Sequence, residues 1–322
     1  MHRHPPRRAV LGAALAAATL DGCRRTPNIR PPQSVNTAAA AAGATVIAAT
    51  GAVAVPSAPL RVVALDTAEL DSAMTLGITP VGACRAPADT DLPNYWPASR
   101  LAEVADAGTI GTPDLARISA LRPELILGNQ LRDGAHYGAL SAIAPTVLSR
   151  TTGYPWKENV QLHARALGRA TAAESVAAAY RAQLASTSHA LGGPGATGSR
   201  KVSLVRFVPG GRIRLYGKQN FLGTILADLQ LGRPQAQNVD QFDVEVTPDQ
   251  LTGADGDVLL YASHGDPNAA GATAVLTSPA WQALGAVRGH RAFPVDDRLW
   301  FEGIGYTGAS LVLAQLQRLL GY

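Results

Sequence analysis

The feature that most constrains this chain is the spacing of its apolar residues from about residue 45 onward. They fall in short β-prone runs, each followed by a stretch of helical character, and this alternation occurs twice. The first series places strands at 45–49 and 52–55 around Gly51, then at 60–65, 80–83, 125–128 and 146–148. Helices are expected between them at 67–76, 114–120 and 140–143, with Asp66 or Thr67 as cap and Gly77 as stop. The second series gives strands at 202–208, 213–216, 258–262 and 292–295, with helices at 221–229, 279–283 and 308–320. Runs that are apolar on both faces suit parallel strands covered on both sides, so the chain is predicted to be α/β.

One stretch interrupts the alternation. Residues 157–191 read as helix with a break at Gly168, and Val176, Tyr180, Leu184 and Leu191 form one apolar stripe. From 171 to 191 such a helix runs about 30 Å, enough to reach two cores. Gly192-Gly193-Pro194-Gly195 then breaks it. The predicted architecture is an N-terminal lobe over 44–165, a connecting helix over 166–195 and a C-terminal lobe over 196–322. Each lobe is expected to carry a mainly parallel sheet flanked by helices. With 47% hydrophobic residues the chain has ample material for both cores.

The N-terminus has a different texture. Arg3, Arg7 and Arg8 precede a twelve-residue apolar run at 9–20, too short to span a bilayer core of about 30 Å. The run ends at Leu20-Asp21-Gly22-Cys23, which resembles a bacterial lipobox, although Asp21 stands where a small residue is usual. Residues 1–22 are read as a signal peptide, Cys23 as the lipidated residue and 23–43 as a Pro- and Ala-rich tether. A secretory signal without lipid is the alternative, and both put the protein outside the cytoplasm. The first 30 residues hold six arginines and one aspartate, a charge of +5, which leaves the remainder at −1. The basic pI of about 9.3 therefore belongs to the signal, and nucleic acid is not an expected partner. Cys84 is unpaired if Cys23 is lipidated; otherwise a Cys23–Cys84 disulfide is open.

The run Gly51-x-Val-x-Val-Pro56-x-x-Pro59-x-Arg61-Val-Val-Ala-Leu-Asp66 resembles the entry of iron-siderophore substrate-binding proteins of ABC importers. So do the continuation through Glu69, Leu76-Gly77-Ile78 and Pro80-Val81-Gly82, and the stretches 111–127, 143–146, 221–234 and 278–300. The resemblance implies two lobes with a ligand cleft between them, joined by a rigid helix that permits little closure. It implies a ferric siderophore as ligand, an ABC permease dimer with its ATPase as partner, a monomer anchored by lipid, and neither catalysis nor an intrinsic cofactor.

Ferric iron in a siderophore is already wrapped in oxygens, so the protein needs no metal ligands of its own. It needs guanidinium forks for exposed oxygens and flat apolar faces for the organic shell. Arg132, just past the strand at 125–128, stands at the carboxyl end where open α/β sheets bind ligands. Arg206 lies inside an apolar strand, where it must face a cleft or have a carboxylate partner. Trp300 matches a family position that packs on the siderophore. Tyr216, Phe242, Tyr95, Trp96, Trp156 and Tyr306 are further aromatic candidates, each equally suited to packing. Lys218 and Arg233 are read as surface charges that add positive potential. The family docks on its permease through an acidic residue on each lobe. Asp249 fits that role in Val246-Thr-Pro-Asp249, and Asp114 or Glu124 substitutes for a glutamate missing before Ile118.

Four alternatives separate from this reading. Gly303-Ile-Gly305-Tyr-Thr-Gly308 spells a dinucleotide fingerprint, but too little chain follows it, and a close turn into the last helix is the better reading. A secreted enzyme is conceivable without G-x-S-x-G or H-E-x-x-H. A direct metal importer would need His136, His163, His189, His264 or His290 to converge with carboxylates. Haem or cobalamin is the nearest rival, with His264 or Tyr216 as the residue to watch.

Overall fold

The computed structural model describes residues 43–321. The signal, Cys23 and the tether to residue 42 lie outside them. The chain opens with an antiparallel hairpin of β1 (Ala44–Ala48) and β2 (Gly51–Val55), whose Val46, Val53 and Val55 pack under the first lobe. The N-terminal sheet follows: β3 (Val62–Ala64), β4 (Gly82–Arg85), β5 (Ala105–Thr109), β6 (Thr112–Pro113), β7 (Leu125–Asn129) and β8 (Thr146–Ser149). Their order across the sheet is β6-β5-β4-β3-β7-β8, parallel throughout except at the β6 edge. The C-terminal sheet holds β9 (Val202–Val208), β10 (Arg212–Tyr216), β11 (Asp243–Val246), β12 (Val258–Ser263) and β13 (Ala292–Pro294), ordered β11-β10-β9-β12-β13. Here β9, β12 and β13 run parallel, while β10 and β11 turn back antiparallel to make one edge.

The expected strands all form, and three more appear. Ala105–Thr109 and Thr112–Pro113 carry too few apolar residues to signal themselves, and Asp243–Val246 alternates over only four residues. Their ladders come from neighbours already in place.

The helix Ala170–Ala190 joins the lobes, and its side chains enter two cores. Ala173 packs with Val62, Leu125 and Val147 of the first lobe, whereas Ala177 and Tyr180 pack with Leu204, Leu226 and Leu260 of the second. Before it, the helix Trp156–Ala166 ends at Gly168, which has φ +64°. A Cβ there would come 2.1 Å from the Ser57 carbonyl oxygen, so only glycine lets the two helices separate under that strand entry. After the break at Gly192 the chain does not go straight to β9. It forms one more short helix, Gly193–Ser199, with Pro194 in its first turn, where a proline is tolerated.

The helix Thr67–Thr75 is buried on every side although half of it is polar. Its Asp71 accepts hydrogen bonds from the backbone N–H of Thr307 and Gly308, which start the last helix, Tyr306–Leu320. An acid of the first lobe therefore caps a helix of the second. The glycine motif 303–308 serves this junction. A Cβ on Gly305 would meet Asp71, and one on Gly308 would meet the Gly303 carbonyl, so the motif is a close turn into the last helix. Among the described residues no helix is long and apolar enough to cross a membrane.

Candidate functional site

A cavity of about 360 Å³ lies between the two sheets. Its N-terminal wall is built where the parallel strands end. Asp66 and Thr67 follow β3, Ala86 and Pro87 follow β4, Arg132 follows β7, and Thr152 and Gly153 follow β8. The opposite wall comes from Arg206 on β9, Arg214 and Tyr216 on β10, Phe242, His264 just past β12, and Phe301, Glu302 and Ile304. The carboxyl ends of the strands thus define the crevice, as open α/β sheets require.

On the N-terminal wall the Asp66 carboxylate is 1% exposed and holds four donors. These are the Thr67 N–H at 2.7 Å and its hydroxyl at 3.3 Å, Asn129 Nδ2 at 3.0 Å and Arg132 Nη1 at 2.8 Å. Arg132 keeps 39% of its side chain exposed, so its remaining N–H groups face the cavity and solvent. Behind this pair lie two further acids. Glu69 has no exposure and no hydrogen-bond partner on either oxygen; burial, with Asp66 and Asp133 nearby, raises its pKa well above the usual range. Burial likewise pushes Asp133 up to about 6.

The C-terminal wall carries a denser charge network. Arg206 and Arg214 sit directly opposite each other in the β9–β10 ladder, an arrangement that is unfavourable unless carboxylates compensate it. Arg206 donates from Nε to Asp297 at 2.7 Å and from Nη2 to both Asp297 and Glu302, the latter at 3.0 Å. Its Nη1 reaches the Tyr216 hydroxyl at 3.4 Å, and its guanidinium lies 5.1 Å from the Phe301 ring. His264 Nδ1 completes the cluster, 3.3 Å from Glu302 and 3.4 Å from Asp297. Those carboxylates, Asp297 first, push its pKa up to about 9. Arg214 is held more loosely: its Nε is 3.4 Å from Asp243 and 3.8 Å from Glu245, and makes no hydrogen bond. Phe242, Tyr216 and Phe301 form an aromatic ladder beside these charges, with centroids 5.4 and 4.7 Å apart.

His264, Asp297 and Glu302 are close enough to hold a metal ion. The Arg206 guanidinium already occupies their midst, 2.7 Å from His264 Nδ1, and a cation there would face it. The donor set therefore fits an internal salt bridge and not a metal centre.

Of the residues singled out from sequence, the fold brings Arg132, Arg206, Tyr216 and Phe242 to one cavity. The other aromatic candidates stand elsewhere. Trp300 is fully buried and donates from Nε1 to Gln315; its neighbour Phe301 is the ring that lines the cavity. Trp156 and Tyr306 meet edge-to-face at 4.9 Å in an aromatic cluster with Tyr180 and Phe221, where the lobes and the connecting helix join. Tyr95 donates its hydroxyl to Asp71, and Trp96 packs beside it. Lys218 pairs with Asp240. Arg233 corrects the reading of a surface charge: it is mostly enclosed and binds the carbonyls of Val202 and Tyr216. Arg214, Glu302 and Phe301 escaped selection as contacts, and His264 was named only for the metal, haem or cobalamin rivals, though Arg214 carried the same signal as Arg206, a charge inside an apolar strand.

Asp249 is exposed and accepts from the Thr247 hydroxyl at 2.6 Å. Asp114 caps the helix Leu115–Ala120 and pairs with Arg117 at 3.1 Å. Glu124 is tied to the N–H groups of Leu60 and Arg61. Cys84 is buried, with its thiol 3.4 Å from the Ala107 carbonyl.

Residues 62–299 match the family described as "Periplasmic binding protein". The probable siderophore-binding lipoprotein YfiY of Bacillus subtilis is 30% identical over 274 residues, covering 82% of this chain and 83% of that protein. The Fe(3+) dicitrate-binding periplasmic protein FecB of Escherichia coli is 24% identical, covering 81% of this chain and 85% of its own. Among solved structures, Staphylococcus aureus SirA complexed with staphyloferrin B superposes with a TM-score of 0.76 at 27% identity, over 86% of this chain and 98% of that one.

Proposed function

The chain belongs to the periplasmic binding protein family, and from that footing we propose that it captures a ferric siderophore outside the cytoplasm and hands it to an ABC permease for iron uptake. One observation carries the reading. Arg132 from one lobe and Arg206 from the other, distant in sequence, reach a single cavity lined by an aromatic ladder. Such a cavity offers donors for chelator oxygens and flat faces for the organic shell, while its own carboxylates are engaged by cations. It binds and does not catalyse: the iron keeps its chelator's oxygens, and no resident cofactor is required.

The finer assignments rest on the sequence. Residues 44–165 and 196–322 form the two lobes around the connecting helix, the chain works as a monomer, and Cys23 carries the lipid that holds it at the membrane. Arg132, Arg206, Tyr216 and Phe242 are proposed ligand contacts, joined by Arg214 and Phe301. Trp300, Trp156, Tyr306 and Tyr95 are assigned to the scaffold behind them. Asp249 docks the C-terminal lobe on the permease. Asp114 is kept as the N-terminal candidate with Glu124 as the alternative, and both carboxylates already accept backbone N–H groups.

A haem or cobalamin reading would use His264 as axial ligand. Its Nδ1 is already engaged, 2.7 Å from Arg206 Nη2 and 3.3 and 3.4 Å from Glu302 and Asp297, so only Nε2 would be left for a metal. Titrating the purified protein with ferric hydroxamate, citrate-type and catecholate complexes, while following Trp fluorescence, tests the proposal. Saturable quenching by a ferric siderophore is expected; a response to haem or cobalamin alone would overturn it.

A further inference from the structure

The charges of the cleft suggest which siderophores it accepts, an inference that rests on the siderophore reading. Three guanidinium groups line the cavity: Arg132, Arg206 and Arg214. Each already has a carboxylate partner within 4 Å, namely Asp66, Asp297 and Asp243 respectively. Glu302 adds a second carboxylate to Arg206 and Glu245 a second to Arg214. The guanidinium groups are therefore matched or outnumbered by carboxylates and do not form a cationic funnel. Arg206 is the extreme case, since Nε and Nη2 are given to two carboxylates that are themselves almost buried.

A polyanionic ligand would have to displace these carboxylates or lie beside them. Displacing a buried partner costs its full desolvation, and leaving it in place sets like charges together. A ligand of small net charge avoids both, using the spare N–H groups of Arg132 and Arg214 as hydrogen-bond donors. Chelate chemistry sorts accordingly. Three singly charged hydroxamates cancel the ferric charge, whereas three doubly charged catecholates leave a trianion, and two fully ionised citrates also leave a polyanion.

We propose that the cleft selects ferric siderophores of net charge near zero, in which hydroxamates supply most of the oxygens around iron. The test is a fluorescence titration of the whole protein with ferrichrome, a neutral trihydroxamate, and with ferric dicitrate and ferric enterobactin. It is run in about 0.01 M and about 1 M salt, where charges are screened beyond roughly 30 and 3 Å. Ferrichrome is expected to bind at least about tenfold tighter than the other two, a margin of about 1.4 kcal/mol, and to change less than about threefold with salt. Tighter binding of ferric enterobactin or ferric dicitrate overturns the proposal. Failure of every ferric complex to bind would instead remove the siderophore reading itself. The double variant Asp243→Asn with Glu245→Gln lies on an edge strand and frees Arg214. It should narrow the gap between ferrichrome and ferric enterobactin by about tenfold, and an unchanged gap counts against the proposal.

Discussion

Arg132 and Arg206 look alike in sequence but stand in different electrostatic settings. Arg132 is 39% exposed, so Arg132→Ala should weaken a ligand that it contacts by about 1–3 kcal/mol. It also takes the cation from the buried Asp66, but stability should fall less than for Arg206→Ala, because Asp66 keeps its donors from Thr67 and Asn129. Arg206→Ala strands Asp297 and Glu302 and should cost about 3–5 kcal/mol of stability as well, readable by urea unfolding. Equal stability of the two variants would contradict this distinction. His264 makes the same network sensitive to pH. Its folded pKa, about 9, lies above the ordinary 6.5, so its contribution is complete below about 6.5 and is lost as pH rises through 9. His264→Gln should flatten stability between those values. Sequence made Arg206 visible because a charge in an apolar strand must be explained. It did not reveal Asp297 or Glu302, and it named His264 only for metal-binding rivals; all three are far along the chain and gain meaning only when β12 and the short helix Asp297–Trp300 bring them to β9. The choice between Trp300 and Phe301 was beyond it too: adjacent aromatics on a short helix point to different sides, and only packing decides which faces the core.

At the scale of elements, the junction of the last helix is the most constrained place in the fold. Alanine usually stabilises a helix interior over glycine by about 1 kcal/mol. Gly308→Ala should do the reverse and destabilise the protein by about 1–3 kcal/mol, because the new methyl would collide with the Gly303 carbonyl. Thermal unfolding of this variant measures the sign directly, and a stabilised protein would refute the close-turn assignment. The helices and buried strands were readable because their apolar periodicity is local. The edge strands Thr112–Pro113 and Asp243–Val246 were not, since two and four residues are too short a run to stand out and a partner strand supplies their geometry.

Over the whole molecule, three helices tie the lobes together. Ala170–Ala190 enters both cores, Thr67–Thr75 is enclosed between them, and Tyr306–Leu320 begins on Asp71. Large hinge closure would break these contacts. Small-angle scattering should therefore give the same radius of gyration with and without saturating ligand, and a clear contraction would show that the connection is not stiff. The two-lobed plan was legible in sequence from the doubled alternation and the single long helix. The shared burial of polar side chains at their junction was not, because Asp71 and Gly308 are 237 positions apart.

That junction also bears on how the chain is made. The acid that caps the helix Tyr306–Leu320 is synthesised well before it, and the N–H groups it receives follow more than two hundred residues later. Until Thr307 and Gly308 emerge, Asp71 lacks two of its donors and the first lobe lacks part of the surface that encloses it. The first lobe should therefore stay loosely assembled on the ribosome and set into place only when that helix has been made.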